Sequence, residues 1–416
     1  MRHEKCGPTT RKEGLEMRKL ARKWILFIGI VFSLIWVVAI LDAPAAASEW
    51  KWPLSLTVQT SAIGSSAYAT VIAWAPVLEQ MTGMKVRVMP ESNTPQRSRR
   101  LKQGNVNLDM ETMNEVGGFG TMGLGGYATR EGGPFQLRSV WLGQSMSFGF
   151  MVRGDSEIKT IYDIKPGHRI AYFTPPAGAV ANVDGMLAWA KVDKKDIKVV
   201  PFTSWPAEQK SVMEGQADVS FAVPTTPIAF EVAAGPHGVR WLPLPYDKDP
   251  EGAKRFLKVS PTASFGINRR GVKESLEIPM FVFANYLWAR KELDPELAYH
   301  LAKWFHKNFD TYKVKDKNCE LMSLDLFRES LDVVFLPVHE GTIKYLKEIG
   351  MWSAKDDRRQ KYNVDLLTRY ADGYKTAITE ADKKKIKIDP TNKEWVELWN
   401  GVKKDIPKIE LMFKIP

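Results

Sequence analysis

Residues 116–126 read VGGFGTMGLGG. Whether this run is a nucleotide turn separates a dinucleotide-binding redox fold from other α/β arrangements. Gly118, Gly120 and Gly123 spell G-x-G-x-x-G behind an apolar-containing run, VNLDMETM. A working turn needs a helix opening at the glycines, so that free backbone N–H groups point at a pyrophosphate. Here the run continues as LGGYATREGGPFQ, whose glycines and proline break helices. The pattern also wants an acid about 20 residues on, for the ribose, and no acid lies between Glu131 and Asp155. The run reads instead as a flexible, Gly-rich loop leaving a strand at the edge of a cleft.

Outward from that loop the chain alternates strand and helix. Leu54 to Thr60 reads as a strand, Tyr68 to Met81 as a helix and Met84 to Met89 as a strand. Arg97 to Gln103 follows as a short helix and Val106 to Met113 as a third strand. A second block starts with strand-rich Val140 to Val152. It continues through a strand at Arg169 to Phe173, a helix at Val180 to Ala190 and a strand at Ile197 to Phe202. A helix at Ala207 to Glu214, a strand at Asp218 to Val223 and a helix at Ile228 to Ala234 complete it. Such alternation predicts α/β layers on a largely parallel sheet. The third part reads as mostly helical, over Pro295 to Phe309, Ser323 to Leu331, Glu340 to Ile349 and Val364 to Lys375.

The 416 residues exceed one ordinary core and suggest two lobes. Arg18, Lys19, Arg22 and Lys23 precede an uncharged apolar run, Trp24 to Leu41. Ala45 and Ala47 then sit at cleavage spacing before Ser48. Basic, apolar and small-residue segments in that order predict an export signal over residues 1–47. The run is near the lower limit for a span, so an uncleaved membrane anchor is the alternative. Cys6 and Cys319 flank the run and leave no intrachain disulfide. The formal charge is +11, and the leader carries eight Lys plus Arg against four acids, which leaves +7 on the body. That excess would steer small anions. Export removes nucleic acid as a partner.

No histidine pair has metal-ligand spacing, and no G-x-S-x-G elbow or P-loop is present. No catalytic, metal or cofactor residues are assigned. What remains are small-residue and hydroxyl turns after strands: IGSSAY (63–68), ESNTP (91–95), MNE (113–115), TPPAGAV (174–180) and PTTP (224–227). In open α/β sheets ligands sit beyond the carboxyl ends of strands. Gly64, Ser65 and Ser66 before a helix offer N–H groups and hydroxyls to an anion such as a carboxylate. The structural alternative is an N-cap.

These turns carry a resemblance. The segment TSAIGSSAY resembles the T-x-x-x-G-G-x-Y opening of the TAXI-type solute receptors of tripartite ATP-independent periplasmic (TRAP) transporters. TPQRSRRLKQG resembles their S-x-x-N-L-x-L-L-x-x-G, and VNLDMETMN the strand after it. IKTIYDIKPGHRIAY resembles the step into a P-G-S-G turn, which is PPAGAV here. MEGQADVSFAVPTTP resembles the G-x-x-D-A strand and loop, and LPVHEGTIKYLKEIG resembles P-x-H-x-G-A-x-x-Y-x-x-E-x-G. The match spans most of Leu54 to about Lys355. Arg97 stands for Asn, and Ala177-Gly178-Ala179 for Gly-Ser-Gly.

The resemblance implies a two-lobed α/β fold of the type II periplasmic-binding-protein kind, with a ligand cleft between the lobes and a helical C-terminal part. Lobe 1 is expected over 48–150, lobe 2 over 151–267, a return with helices over 268–370, and an extension over 371–416. Crossings are expected near Phe150 and Ser264 to Ile267. It also implies a periplasmic receptor, without enzymatic activity, that hands a small organic acid or amino acid to a TRAP permease. Gly64, Ser65, Ser66, Tyr68, Thr94, Arg97 and Asn114 would line one side of the cleft. Thr174, Gly178, Thr225 and Thr226 would line the other. Arg97 could pair with a solute carboxylate or be a solvated helix residue beside Arg99 and Arg100. His339 is expected to hold the returning helix. A membrane-anchored sensor and an exported enzyme are the other classes.

Overall fold

The computed structural model describes residues 50–332 and 334–409. The export signal or anchor expected over 1–47 lies outside the described residues, as does the chain beyond residue 409. Among the described residues no helix is long and apolar enough to cross a membrane.

The first block folds as read, with sharper ends. β1 (Ser55–Thr60) buries Leu56 and Val58 completely. α1 (Ser66–Thr82) starts where the Ser65 side chain accepts from Tyr68 N–H at 3.1 Å, and it stops at Gly83 with φ 73°. β2 (Lys85–Pro90) follows. α2 (Thr94–Gln103) is capped by Asn93, which accepts from Gln96 N–H at 3.0 Å, and by Gly104 in the left-handed region. β3 (Leu108–Thr112) completes a parallel order β2-β1-β3.

β3 then runs into a π-helical turn, Met113–Gly120, in which every residue is buried. The flexible loop expected over 116–126 is therefore corrected in its first half. Thr112 starts the turn by accepting from Glu115 N–H at 3.1 Å. Its glycines permit close packing: a Cβ on Gly117 would lie 2.5 Å from Leu336, and one on Gly118 would lie 2.9 Å from Thr262.

β4 (Leu137–Arg153) is 17 residues long and leaves the first lobe's sheet for the second. There it pairs antiparallel with two short strands, Ser220–Ala222 and Val239–Leu242. The second block is β5 (Arg169–Phe173), α3 (Ala177–Ala190), β6 (Lys198–Phe202), α4 (Trp205–Lys210), β7 (Ser220–Ala222), α5 (Pro227–Ala234), β8 (Val239–Leu242), α6 (Pro250–Val259) and β9 (Ser264–Ile267). β5 and β6 pair in parallel, and Ile170 bridges to Val219. Phe150, Tyr172, Trp189, Phe256 and Phe281 centre this lobe's core.

β10 (Pro279–Arg290) returns the chain. It pairs antiparallel with β9, β4 and β3, so it lies at the middle of the sheet order β2-β1-β3-β10-β4-β7. The helical part follows as α7 (Pro295–Lys307), α8 (Phe309–Tyr312), α9 (Leu324–Ser330), α10 (Glu340–Glu348), α11 (Ala354–Lys383) and α12 (Lys393–Lys403). α11 extends well beyond the expected helix at Val364 to Lys375. The molecule is thus an α/β protein of two lobes with a helical C-terminal part, joined by long strands.

Candidate functional site

The carboxyl ends of β1, β3, β5 and β7 converge on a cleft that is open to solvent at its mouth. Residues of both lobes line it. Ser61, Ser65, Ser66, Thr94 and Asn114 come from the first, and Phe173, Ala179, Asn182, Trp205 and Phe221 from the second. The long strands supply the floor: Met146 and Phe148 alternate on β4, and Phe283 and Asn285 on β10. This is the spacing of side chains on one face of a strand. The rings form a connected wall, with Phe148 stacked on Phe221 at 5.6 Å and Trp205 edge-on to Phe221 at 4.9 Å.

Glu111 and Glu115 are the charged residues of the lining. Glu111 ends β3. Its Oε1 accepts the Thr112 N–H at 2.7 Å, and its Oε2 accepts the Thr94 hydroxyl at 3.4 Å and the Arg97 guanidinium. Arg97 is fully buried, and its Nη1 also lies 3.7 Å from Asp109 Oδ1 without a hydrogen bond. Burial raises the Asp109 carboxyl to about 6, against the pull of Arg97. Glu115 bridges the lobes: Oε1 accepts the Tyr127 hydroxyl at 2.9 Å, and Oε2 accepts the Gly178 N–H at 2.7 Å. Burial raises it to about 7, although Tyr127, the N–H groups of Gly178 and Ala177, and Arg97 favour its charged form. A second link joins the Thr262 hydroxyl to Asn114 Oδ1 across the same seam.

Of the residues expected at the cleft, Ser65, Ser66, Thr94 and Asn114 are brought together in its lining. Ser65 is also the cap of α1, so both of its readings apply. Arg97 lies behind the lining and is not solvated, which overturns the exposed-helix alternative. Gly64, with φ 91°, would carry a Cβ 3.6 Å from Ile228 of the second lobe, at the seam. Tyr68 is half-buried in α1. Thr174 is exposed, and its hydroxyl donates to the Phe202 carbonyl at 3.2 Å. Gly178 faces Glu115. Thr226 caps α5 by accepting the Ala229 N–H at 3.0 Å, and the buried Thr225 hydroxyl has no hydrogen-bond partner.

Sequence reasoning passed over Glu111, Glu115, Asn182, Asn285 and the aromatic wall. The MNE turn contained Glu115, and its signal was an acid at the carboxyl end of a strand. The wall was legible as alternation in SMSFGF (145–150) and FVFAN (281–285). His339 is buried and caps α10 by accepting the Gly341 N–H at 3.3 Å, the structural role expected of it. Cys319 is buried, and burial pushes its thiol up to about 12, which makes it inert. Among the described residues no cluster of His, Cys, Asp and Glu could hold a metal ion.

No curated protein matches the chain. Among solved structures it is similar to the periplasmic aliphatic sulphonate binding protein of Escherichia coli. That match has 14% identity and a TM-score of 0.39, covering 88% of this chain and 97% of that one. It is similar to the R. palustris protein Rpa4515 solved with adipate, at 13% identity and a TM-score of 0.48, covering 75% and 98%. It is also similar to MatC of Rhodopseudomonas palustris with bound malate, at 12% identity and a TM-score of 0.41, covering 78% and 98%. The NMT1-like family matches residues 60–350. The chain therefore belongs to the NMT1-like family.

Proposed function

We propose that the chain is a periplasmic receptor that closes its two lobes on a small solute and delivers it to a membrane permease of the TRAP type. The observation that carries this reading is the cleft itself, lined from both lobes and floored by the strands that join them. Concave, largely apolar clefts with a few placed polar groups are where proteins hold small molecules. The lobes are proposed to run over 48–150 and 151–267, with the return from 268, and β4 and β10 give the closing motion its hinge strands. Glu115, Asn114 and Thr262 would make and break their contacts across the seam as the lobes move. The resemblance to TAXI receptors supplies the TRAP partner and points to an organic acid or amino acid as cargo. Ser65, Ser66, Thr94 and Asn114 would touch the solute, and Arg97 would act on it only through Glu111.

The test is a thermal-shift screen of the purified protein against carboxylates, amino acids, amines, sugars and NAD, with scattering measured on the compounds that respond. A ligand at about 100 times its Kd adds roughly 2.7 kcal/mol of stability. The reading expects a shift and a smaller radius of gyration, with the ligand recovered unchanged. Silence across all classes, or conversion of the ligand, would sink it.

A further inference from the structure

The cleft's charges point away from a carboxylate solute. Three devices commonly hold a carboxylate: a free guanidinium, a free lysine, or the open N–H groups of a helix N-terminus. No Lys, Arg or His lines this cleft. The neighbouring guanidinium, Arg97, is engaged by Glu111 and faces Asp109. Two long helices open on the cleft: α3 is occupied there, because Gly178 donates its N–H to Glu115 at 2.7 Å, and α1 spends the Tyr68 N–H on its own cap, Ser65, at 3.1 Å. The protein's own carboxylates thus fill two of the places a solute carboxylate would take, the Arg97 guanidinium and the N-terminus of α3. Asp109, Glu111 and Glu115 against Arg97 leave an excess of negative charge that reaches two only above about pH 7, where Glu115 has lost its proton.

What the cleft leaves unspent are acceptors and aromatic surface. Asn285 is 2% exposed and lines the cleft, and its Oδ1 has no hydrogen-bond partner. A buried acceptor without a donor costs free energy that a ligand N–H recovers. Glu111 and Glu115 stand on the same lining, and each carboxylate oxygen accepts more than one hydrogen bond. Phe148, Trp205 and Phe221 line the cleft with an aromatic surface that covers an apolar body.

Resting on the reading of this cleft as a solute site, we infer that it takes a small solute bearing a protonated amine on a flat or branched apolar body. The ammonium N–H groups donate to Glu111, Glu115 and Asn285, and the body lies against the aromatic wall. A free carboxylate on the solute meets like charge, with the hydroxyls, the side-chain amides and the start of α1 as its donors.

Titration calorimetry on the full-length chain with two pairs of matched probes tests this. The pairs are 2-phenylethylamine against phenylacetate, and putrescine against succinate. The expected result is that an amine binds at least about a hundredfold more tightly than its carboxylate partner, since like-charge juxtaposition costs several kcal/mol. Glu111→Gln is expected to weaken the amine about tenfold or more. Because that change also disturbs Arg97, Asn285→Ala serves as a second variant. It removes an oxygen that no protein group holds, and it should weaken the amine several-fold with the melting temperature unchanged. A carboxylate binding as tightly as its amine overturns the amine class and leaves the receptor reading intact. If no probe binds, the amine class falls as well. A thermal shift with any other solute then keeps the receptor, whereas silence across the wide screen removes both.

Discussion

At the scale of the residue, buried acids govern how this protein responds to pH. Glu115 holds its proton up to about 7 in the fold, against an ordinary value of 4.5, and Asp109 up to about 6, against 3.8. An acid whose folded pKa is raised stabilises the fold fully below its unfolded pKa, and that contribution is lost as pH rises through the folded pKa. Stability is therefore expected to fall between about pH 4 and pH 7, by up to about 1.4 kcal/mol per unit for each group. Chemical denaturation across that range checks the slope. Glu115→Gln, which keeps the shape and removes the titration, should flatten the upper part of it, between pH 5 and 7. Tyr127 and Arg97 are the titratable and charged groups acting on Glu115, and burial holds the Tyr127 hydroxyl well above this range.

Arg97 shows the limit of reading residues singly. Its neighbours Arg99 and Arg100 suggested a solvated face, and a departure from the resembled motif suggested a ligand contact. Neither clue could reveal that Asp109 and Glu111, on the strand that follows, fold back on it. Removing one member of a buried ion pair typically costs about 3–5 kcal/mol. Arg97→Met is expected to destabilise the ligand-free protein by that order, measured by urea unfolding. A ligand effect without a stability effect would contradict the buried pairing. By contrast, Ser65, Ser66, Thr94 and Asn114 were legible because each follows a strand, and strand ends are where α/β sheets place their ligands.

At the scale of the element, the helices of the first and second blocks were legible from their caps and periodicity. β10 was not. Its sequence, PMFVFANYLWAR, is nearly continuous in apolar and aromatic residues, because strands cover both of its edges and a lobe core lies against it. Continuous apolar runs lose the period-2 signal, and this one sits before a helical region. The glycine run misled in another way. Its glycines suit a mobile loop, yet they are spent on close approach, in a buried turn that docks on the second lobe. Gly178 belongs to the same seam from the other side. A Cβ there would lie 2.4 Å from Glu115 Oε2 and 2.5 Å from Asn114 Nδ2. Alanine is favoured over glycine inside a helix by about 0.8–1 kcal/mol, so Gly178→Ala should leave the second lobe folded. Its methyl would displace Glu115 and hold the lobes apart. The expected outcome is a normal circular dichroism spectrum, a larger radius of gyration and a lost ligand-induced thermal shift. An unchanged radius with normal binding would show that Glu115 yields without opening the seam.

At the scale of the whole molecule, the C-terminal helices act on the cleft they do not line. The sequence showed Trp395 and Trp399 in a stretch of uncertain packing. In the fold both are buried, and their indole N–H groups donate to backbone carbonyls of the glycine-rich segment: Trp395 to Ala128 at 2.8 Å and Trp399 to Met122 at 2.9 Å. Tyr374 on α11 adds its hydroxyl to the Thr129 carbonyl at 2.8 Å. The segment so clamped carries Tyr127, which holds Glu115, and Gly125, where a Cβ would lie 2.9 Å from Ala177 on the second lobe. The pairing could not be read from sequence, since 267 residues separate Trp395 from Ala128 and nothing local marks either as a partner. A chain of contacts therefore runs from α12 through the clamped segment to Glu115 and the start of α3. Trp399→Ala removes a large buried side chain and a donor, at about 3–5 kcal/mol. Hydrogen exchange should then rise across residues 120–133 while β1 and β3 stay protected, because local opening follows local packing. Solute affinity should fall with it, since Glu115 loses a fixed Tyr127. Faster exchange spread evenly over both lobes would instead mean that α12 stabilises the molecule globally and has no particular hold on the seam.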